Sequence, residues 1–98
     1  APENELLPAR GVYFTLTLLG DLHVPGLTNI GVRPTFGDHR LDVETFLPGF
    51  KGDLYGARVE LDFQSRHRDE RKFDSPEALL AQIQRDIDAF EAWRGKRG

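Results

Sequence analysis

No cysteine occurs in the 98 residues, which excludes a disulfide framework, a thiolate nucleophile and a cysteine-based zinc site. Methionine is absent too, even at position 1, so the chain reads as a segment excised from a longer protein. No apolar run approaches the roughly 18 residues of a membrane span. The opening Ala1-Pro2-Glu3-Asn4-Glu5 is acidic and polar, unlike a signal peptide. No membrane partner and a cytoplasmic location are therefore expected. A basic excess is also missing. The net charge is −3, so no broad electrostatic footprint for nucleic acid exists and no nucleic-acid partner is expected. The chain has neither a Walker or Rossmann glycine-rich loop nor a Ser-His-Asp signature. His23, His39 and His67 are scattered without metal-ligand spacing.

What is present fits one small domain, 1–98. A chain of this length buries roughly 60–65% of the surface it exposes when unfolded, so a ligand site must be a surface cleft or a barrel mouth. Residues 1–10 read as an entry loop and 11–63 as β-strands. Val12, Phe14, Leu16 and Leu18 share one strand face, and Gly20-Asp21 is a turn signal. His23 to Thr35 is extended, and Pro25 and Pro34 suggest strand ends or bulges. Leu41 to Leu47 and Ala57 to Phe63 alternate apolar with polar residues. Ser75 then suits an N-cap and Pro76 the first helical position. The spacing of Leu80, Ile83, Ile87 and Phe90, with Leu79 and Trp93 nearby, predicts a helix over 76–93 that packs this stripe on the sheet. Gly95 reads as the residue just past its end. The expected fold is mainly β: a small antiparallel β-barrel or curled sheet with one C-terminal α-helix. Four strands leave two edges, so a further strand or a partner is expected.

Three features carry candidate chemistry. Glu44 lies on the strand face opposite Val43 and Thr45, where it is either a solvated charge or a base facing a cleft. In Asn29-Ile30-Gly31-Val32-Arg33-Pro34-Thr35-Phe36, Gly31 permits close approach, and Asn29 and Arg33 can bind polar groups. The same run also reads as a strand that bends and ends. Arg66-His67-Arg68-Asp69-Glu70-Arg71-Lys72-Phe73 is either a solvated connection or a loop that holds an anionic or planar ligand beside the helix start.

In order and spacing, three of these segments together resemble the riboflavin kinase family. They are Asn29 to Phe36, Val43-Glu44-Thr45-Phe46 with Gly52-Asp53-Leu54-Tyr55-Gly56, and Arg68 to Ser75. The resemblance covers nearly the whole chain. In bacteria this module usually forms the C-terminal half of a bifunctional riboflavin kinase/FAD synthetase. The resemblance implies a six-stranded Greek-key (split) β-barrel with a C-terminal helix. The implied reaction is ATP + riboflavin → ADP + FMN, with Mg²⁺ in the complete module. Glu44 matches the catalytic base. Asn29, Gly31, Asp53, Leu54 and Tyr55 match the nucleotide side, and Arg68, Lys72 and Phe73 the flavin side. An N-terminal adenylyltransferase domain is the implied partner in the parent chain.

Two departures from the family pattern stand out. Asp69 replaces a frequent proline after the loop arginine. The family's first strand, with a Gly-Phe-Pro-Thr-Ala-Asn-type motif whose Thr and Asn bind Mg²⁺ and phosphates, has no counterpart among the ten residues before Gly11. No metal ligand is therefore expected within this chain, and the fragment alone is expected to be inactive. A non-catalytic flavin- or nucleotide-binding β-barrel module is the alternative. A small β-barrel adaptor is a third reading, supported only by the basic 66–72 run.

Overall fold

The computed structural model describes residues 7–35, 37–52 and 59–97. Four strands, β1 (Gly11–Leu19), β2 (Leu22–Thr35), β3 (Asp38–Phe46) and β4 (Glu60–Arg68), precede one helix, α1 (Pro76–Arg97). Every pairing is antiparallel and the sheet order is β3-β2-β1-β4. Three strands thus follow one another as hairpins, and the fourth returns beside the first, which is the Greek-key arrangement.

The β1–β2 hairpin closes at Leu19↔Leu22 over Gly20-Asp21. Gly20 has φ 60°, a left-handed value that suits the first central position of a two-residue hairpin turn. β2 passes through Pro25 without ending or bulging there, unlike the expectation, and stops one residue after Pro34. The pairing explains this. Pro25 pairs with Leu16 of β1, while the β3 pairing begins only at Leu27. Pro34 pairs with His39 of β3, beyond the last β1 partner at Ile30. Each proline thus falls where β2 has a neighbour on one side, and the missing N–H costs no ladder bond.

One face of β1 and β2 meets α1. Val12, Phe14, Leu27 and Phe90 form the core there, with Ala89 and Trp93 packed against it. Phe14 stacks between His67, at 4.9 Å, and Trp93, at 5.1 Å. Aromatic pairs of this kind add about 0.5–1.5 kcal/mol each beyond area burial. The other face is also buried: Thr15, Thr28 and Ile30 are all fully enclosed. Burial on both faces is what a sheet curling into a small barrel produces. A hydroxyl ladder crosses that face, with Thr15 to Thr28 at 2.9 Å and Thr28 to Thr45 at 2.8 Å.

α1 is capped as its sequence suggests, since the Ala78 N–H donates to Ser75 Oγ at 3.1 Å. It continues past Trp93 to Arg97, and Gly95 lies inside it. Its packed row also differs from the expected stripe. The buried helix residues are Gln82, Asp86 and Phe90, whereas Leu80 is 64% exposed and Ile83 41%. Polar groups on β4 face the helix and draw Gln82 and Asp86 inward, so the apolar stripe turns partly away.

Candidate active site

The sheet face that carries the core also carries Asn29 and Glu44, because Asn29 pairs directly with Glu44 across β2 and β3. Leu27 pairs with Phe46 one step along on the same face. Beyond the core, this face and α1 enclose a cavity of about 510 Å³. That size accommodates a ring-bearing small molecule. Its floor is Val12, Leu27, Asn29, Glu44, Thr45 and Phe46. One wall comes from the end of β4 and the following loop, through Arg68, Glu70, Arg71 and Phe73. The helix supplies Leu79, Ile83, Asp86 and Ile87. Phe46, Leu79 and Ile83 are large apolar side chains that remain exposed, so much of this wall is apolar surface facing water.

The polar rim is ordered by a dense network. Arg68 donates from Nε to Asp86 Oδ1 and from Nη2 to Asp86 Oδ2, both at 2.8 Å. Gln82 Nε2 and His67 Nε2 also meet Asp86 Oδ1, each at 2.9 Å. Burial alone would raise the Asp86 carboxyl, but donation from Arg68, Gln82 and His67 outweighs it and holds the group down at about 2. Asp86 is therefore ionised and can only accept, so the His67 Nε2 in this contact carries a proton. Gln82 Oε1 in turn accepts from Arg71, at 3.0 Å, and from Arg85, at 2.8 Å.

A second set of contacts ties the segment before β1 to the loop after β4. Arg10 donates to Glu70 at 2.9 Å. The Tyr13 hydroxyl donates to the Ala9 carbonyl at 2.6 Å and accepts from Arg66 at 2.7 Å. Gly31 is what lets Glu70 come so near β2, because a Cβ at that position would collide with the Glu70 carboxylate.

The structure thus gathers Glu44, Asn29, Arg68 and Phe73 around one cavity. Gly31 contributes by admitting Glu70 rather than by lining the cavity, and Lys72 is exposed outside it. Asp53, Leu54 and Tyr55 lie outside the described residues. Asp86 and Gln82 escaped sequence reasoning because they sit in a helix whose apolar period drew attention elsewhere. The Asn29 side-chain oxygen is buried and has no hydrogen-bond partner within the protein, which leaves it available to a donor in the cavity. Among the described residues no group of three or more His, Asp or Glu can hold a metal ion.

Fold and cavity together define a class: a Greek-key β-sheet module with a ligand cleft between its sheet and its only described helix. The family model described as riboflavin kinase matches residues 1–94, and the chain belongs to that family. The bifunctional riboflavin kinase/FMN adenylyltransferase of Pseudomonas fluorescens is 40% identical over 87 residues, covering 88% of this chain and 28% of that protein. The RNA-binding riboflavin kinase RibR of Bacillus subtilis (strain 168) is 41% identical over 79 residues, covering 80% and 34%. The bifunctional enzyme of Escherichia coli (strain K12) is 39% identical over 84 residues, covering 85% and 27%. The chain thus spans only about a third or less of these curated relatives. A solved structure named as a macrolide-efflux protein from Streptococcus pneumoniae superposes with a TM-score of 0.79 at 29% identity, covering 89% of this chain and 29% of that one. Among the described residues no helix is long and apolar enough to cross a membrane.

Proposed function

We propose that this chain is the riboflavin kinase module of a bacterial flavin-biosynthetic protein that, as a whole, phosphorylates riboflavin to FMN at the expense of ATP. The carrying observation is that one cavity has Glu44 and Asn29 on its floor and Phe73, Leu79, Ile83 and Ile87 on its walls. A neutral tricyclic ring suits the apolar walls, and the polar floor suits the ribityl hydroxyl beside Glu44 and the phosphate end beside Asn29, whose buried side-chain oxygen has no partner within the protein.

In this reading Glu44 is the general base. The ribityl 5′-oxygen attacks the γ-phosphorus, the bond between that phosphorus and the β,γ-bridging oxygen breaks, and ADP leaves. Glu44 receives the hydroxyl proton and returns it to water. Phosphoryl transfer asks mainly for positioning and charge neutralisation, so the base that this chain contributes is one well-placed carboxylate, and charge neutralisation falls to groups outside it. Mg²⁺ accompanies ATP in the family. Among the described residues no cluster of His, Asp or Glu offers a site for it. By the family resemblance, Asn29 and Gly31 are assigned to the nucleotide side, together with Asp53, Leu54 and Tyr55, which lie outside the described residues, and Arg68, Lys72 and Phe73 to the flavin side.

An adenylyltransferase domain is the proposed neighbour in the parent chain, as in the bifunctional relatives, and the cytoplasm the proposed location. RNA binding is in the name of one relative. A chain of net charge −3 offers no broad face for phosphate neutralisation, and the proposal includes no nucleic-acid partner.

Glu44→Gln in the full-length protein tests the assignment. FMN formation from riboflavin and ATP should fall by about 10²–10⁴-fold, the usual weight of a general base, with riboflavin affinity retained. Undiminished turnover would remove Glu44 from the chemistry.

A further inference from the structure

Arg68 lines the cavity, but the charge of its guanidinium is already met. Two of its N–H groups go to the two oxygens of Asp86 and a third goes to the Asp69 carbonyl at 2.9 Å. Of the five N–H donors of an arginine, this leaves two. A bidentate carboxylate fixes both the position and the plane of the guanidinium. Asp86 is itself held by Gln82 and His67, and it is 8% exposed. The other cation lining the cavity, Arg71, donates to Gln82 and lies over the Phe73 ring at 5.3 Å.

We propose that Asp86, braced by Gln82, is a positioning residue that holds Arg68 in place at the cavity with its charge cancelled, so that Arg68 serves a neutral ring bearing hydrogen-bond acceptors rather than an anion. The proposal rests on the kinase reading for the identity of the ring. Within that reading it assigns Arg68 to the ring and not to a phosphate. A free arginine would draw the triphosphate or the FMN phosphate to the wrong end of the cleft. A paired one has two N–H groups left, which suit a carbonyl or ring nitrogen.

The test uses the full-length protein and two probes: lumichrome, which is the flavin ring without its ribityl chain, and ADP. Asp86→Asn keeps the volume and removes the charge. It should weaken lumichrome binding by about tenfold or more while ADP affinity stays within about twofold, because Arg68 loses its charged hydrogen-bond partner. Asp86→Glu should recover part of the loss. The Arg68 Nε–H resonance, slow to exchange in the parent, should exchange fast in Asp86→Asn. Should that variant fail to fold, Gln82→Ala decides: it leaves the Arg68–Asp86 pair intact and should show a smaller loss confined to lumichrome.

Unchanged lumichrome affinity in the variants overturns the inference and leaves the kinase reading standing. A parallel loss of lumichrome and ADP overturns it as well, because a purely structural role would move both. Absence of lumichrome binding to the parent also overturns it. Riboflavin turnover, measured separately, judges the kinase reading on its own.

Discussion

Arg68 and Asp86 meet fork to fork, with both N–H···O distances at 2.8 Å, and the pair joins the last residue of β4 to the middle of α1. Both side chains are largely buried, so the pair couples the sheet to the helix and shapes the cavity together.

Acid should loosen this joint. The Asp86 carboxyl lies at about 2, below its ordinary 3.8. Its contribution is fully present above about pH 5 and is lost as pH falls through 3.8 towards 2, for a total of about 2 kcal/mol. Urea midpoints measured from pH 6 downward should show this acid limb, and Asp86→Asn should flatten it.

Phe90 is fully enclosed and packs near Phe14 and Trp93, with ring centroids 6.4 and 6.0 Å away. Phe90→Ala should cost about 3–5 kcal/mol, read as a lower denaturation midpoint with loss of near-ultraviolet dichroism.

The threonine ladder gives a non-additive prediction. Thr28→Val removes the hydroxyl between Thr15 and Thr45 and leaves the buried Thr15 hydroxyl without it. The expected cost is about 1–3 kcal/mol. Thr15→Val in the same chain should recover much of it, because Thr45 is exposed and can turn to water. A double-mutant cycle in urea checks this, and simple additivity would mean the hydroxyls are not coupled.

Gly31→Ala should push the Glu70 carboxylate away and break its contact with Arg10. The Arg10 side chain is 59% exposed, so stability should change by no more than about 1 kcal/mol. The loop that carries Phe73 should become easier to cleave by limited proteolysis. An unchanged cleavage rate would show that the latch does not hold the loop.

Much of the architecture is legible in the chain because strand alternation and capping are local signals. Val12, Phe14 and the Gly20-Asp21 turn announce the first hairpin, and Ser75-Pro76 announces the helix start. β4 was harder to read. Its last residues, Gln64 to Arg68, are all polar, and its register against β1 shifts twice, between Val12 and Tyr13 and between Phe14 and Thr15. A bulged edge strand loses the period of two that betrays a strand. The basic run starting at Arg66 therefore looked like a connection, while Arg66, His67 and Arg68 belong to β4.

The site was legible in part for a similar reason. Glu44 and Asn29 follow from alternation once two strands are paired. Asp86 does not, because its role depends on a partner 18 positions earlier and on which helix face turns inward. Leu80 and Ile83 fit a helical stripe equally well, and only the polar end of β4 decides against them.

The sheet order has a consequence for how the chain is made. β1 emerges first and finds β2 and β3 at once through short hairpins, yet its other edge waits for β4, whose pairing joins residues as distant as Val12 and Arg68. Until about residue 68 has left the ribosome, the central strand presents a row of open amides and carbonyls that any other strand can occupy. The nascent module is thus most vulnerable to mispairing in the interval between its third strand and its fourth. Slowing synthesis across residues 47–59 should lower the folded yield without changing the stability of the finished protein.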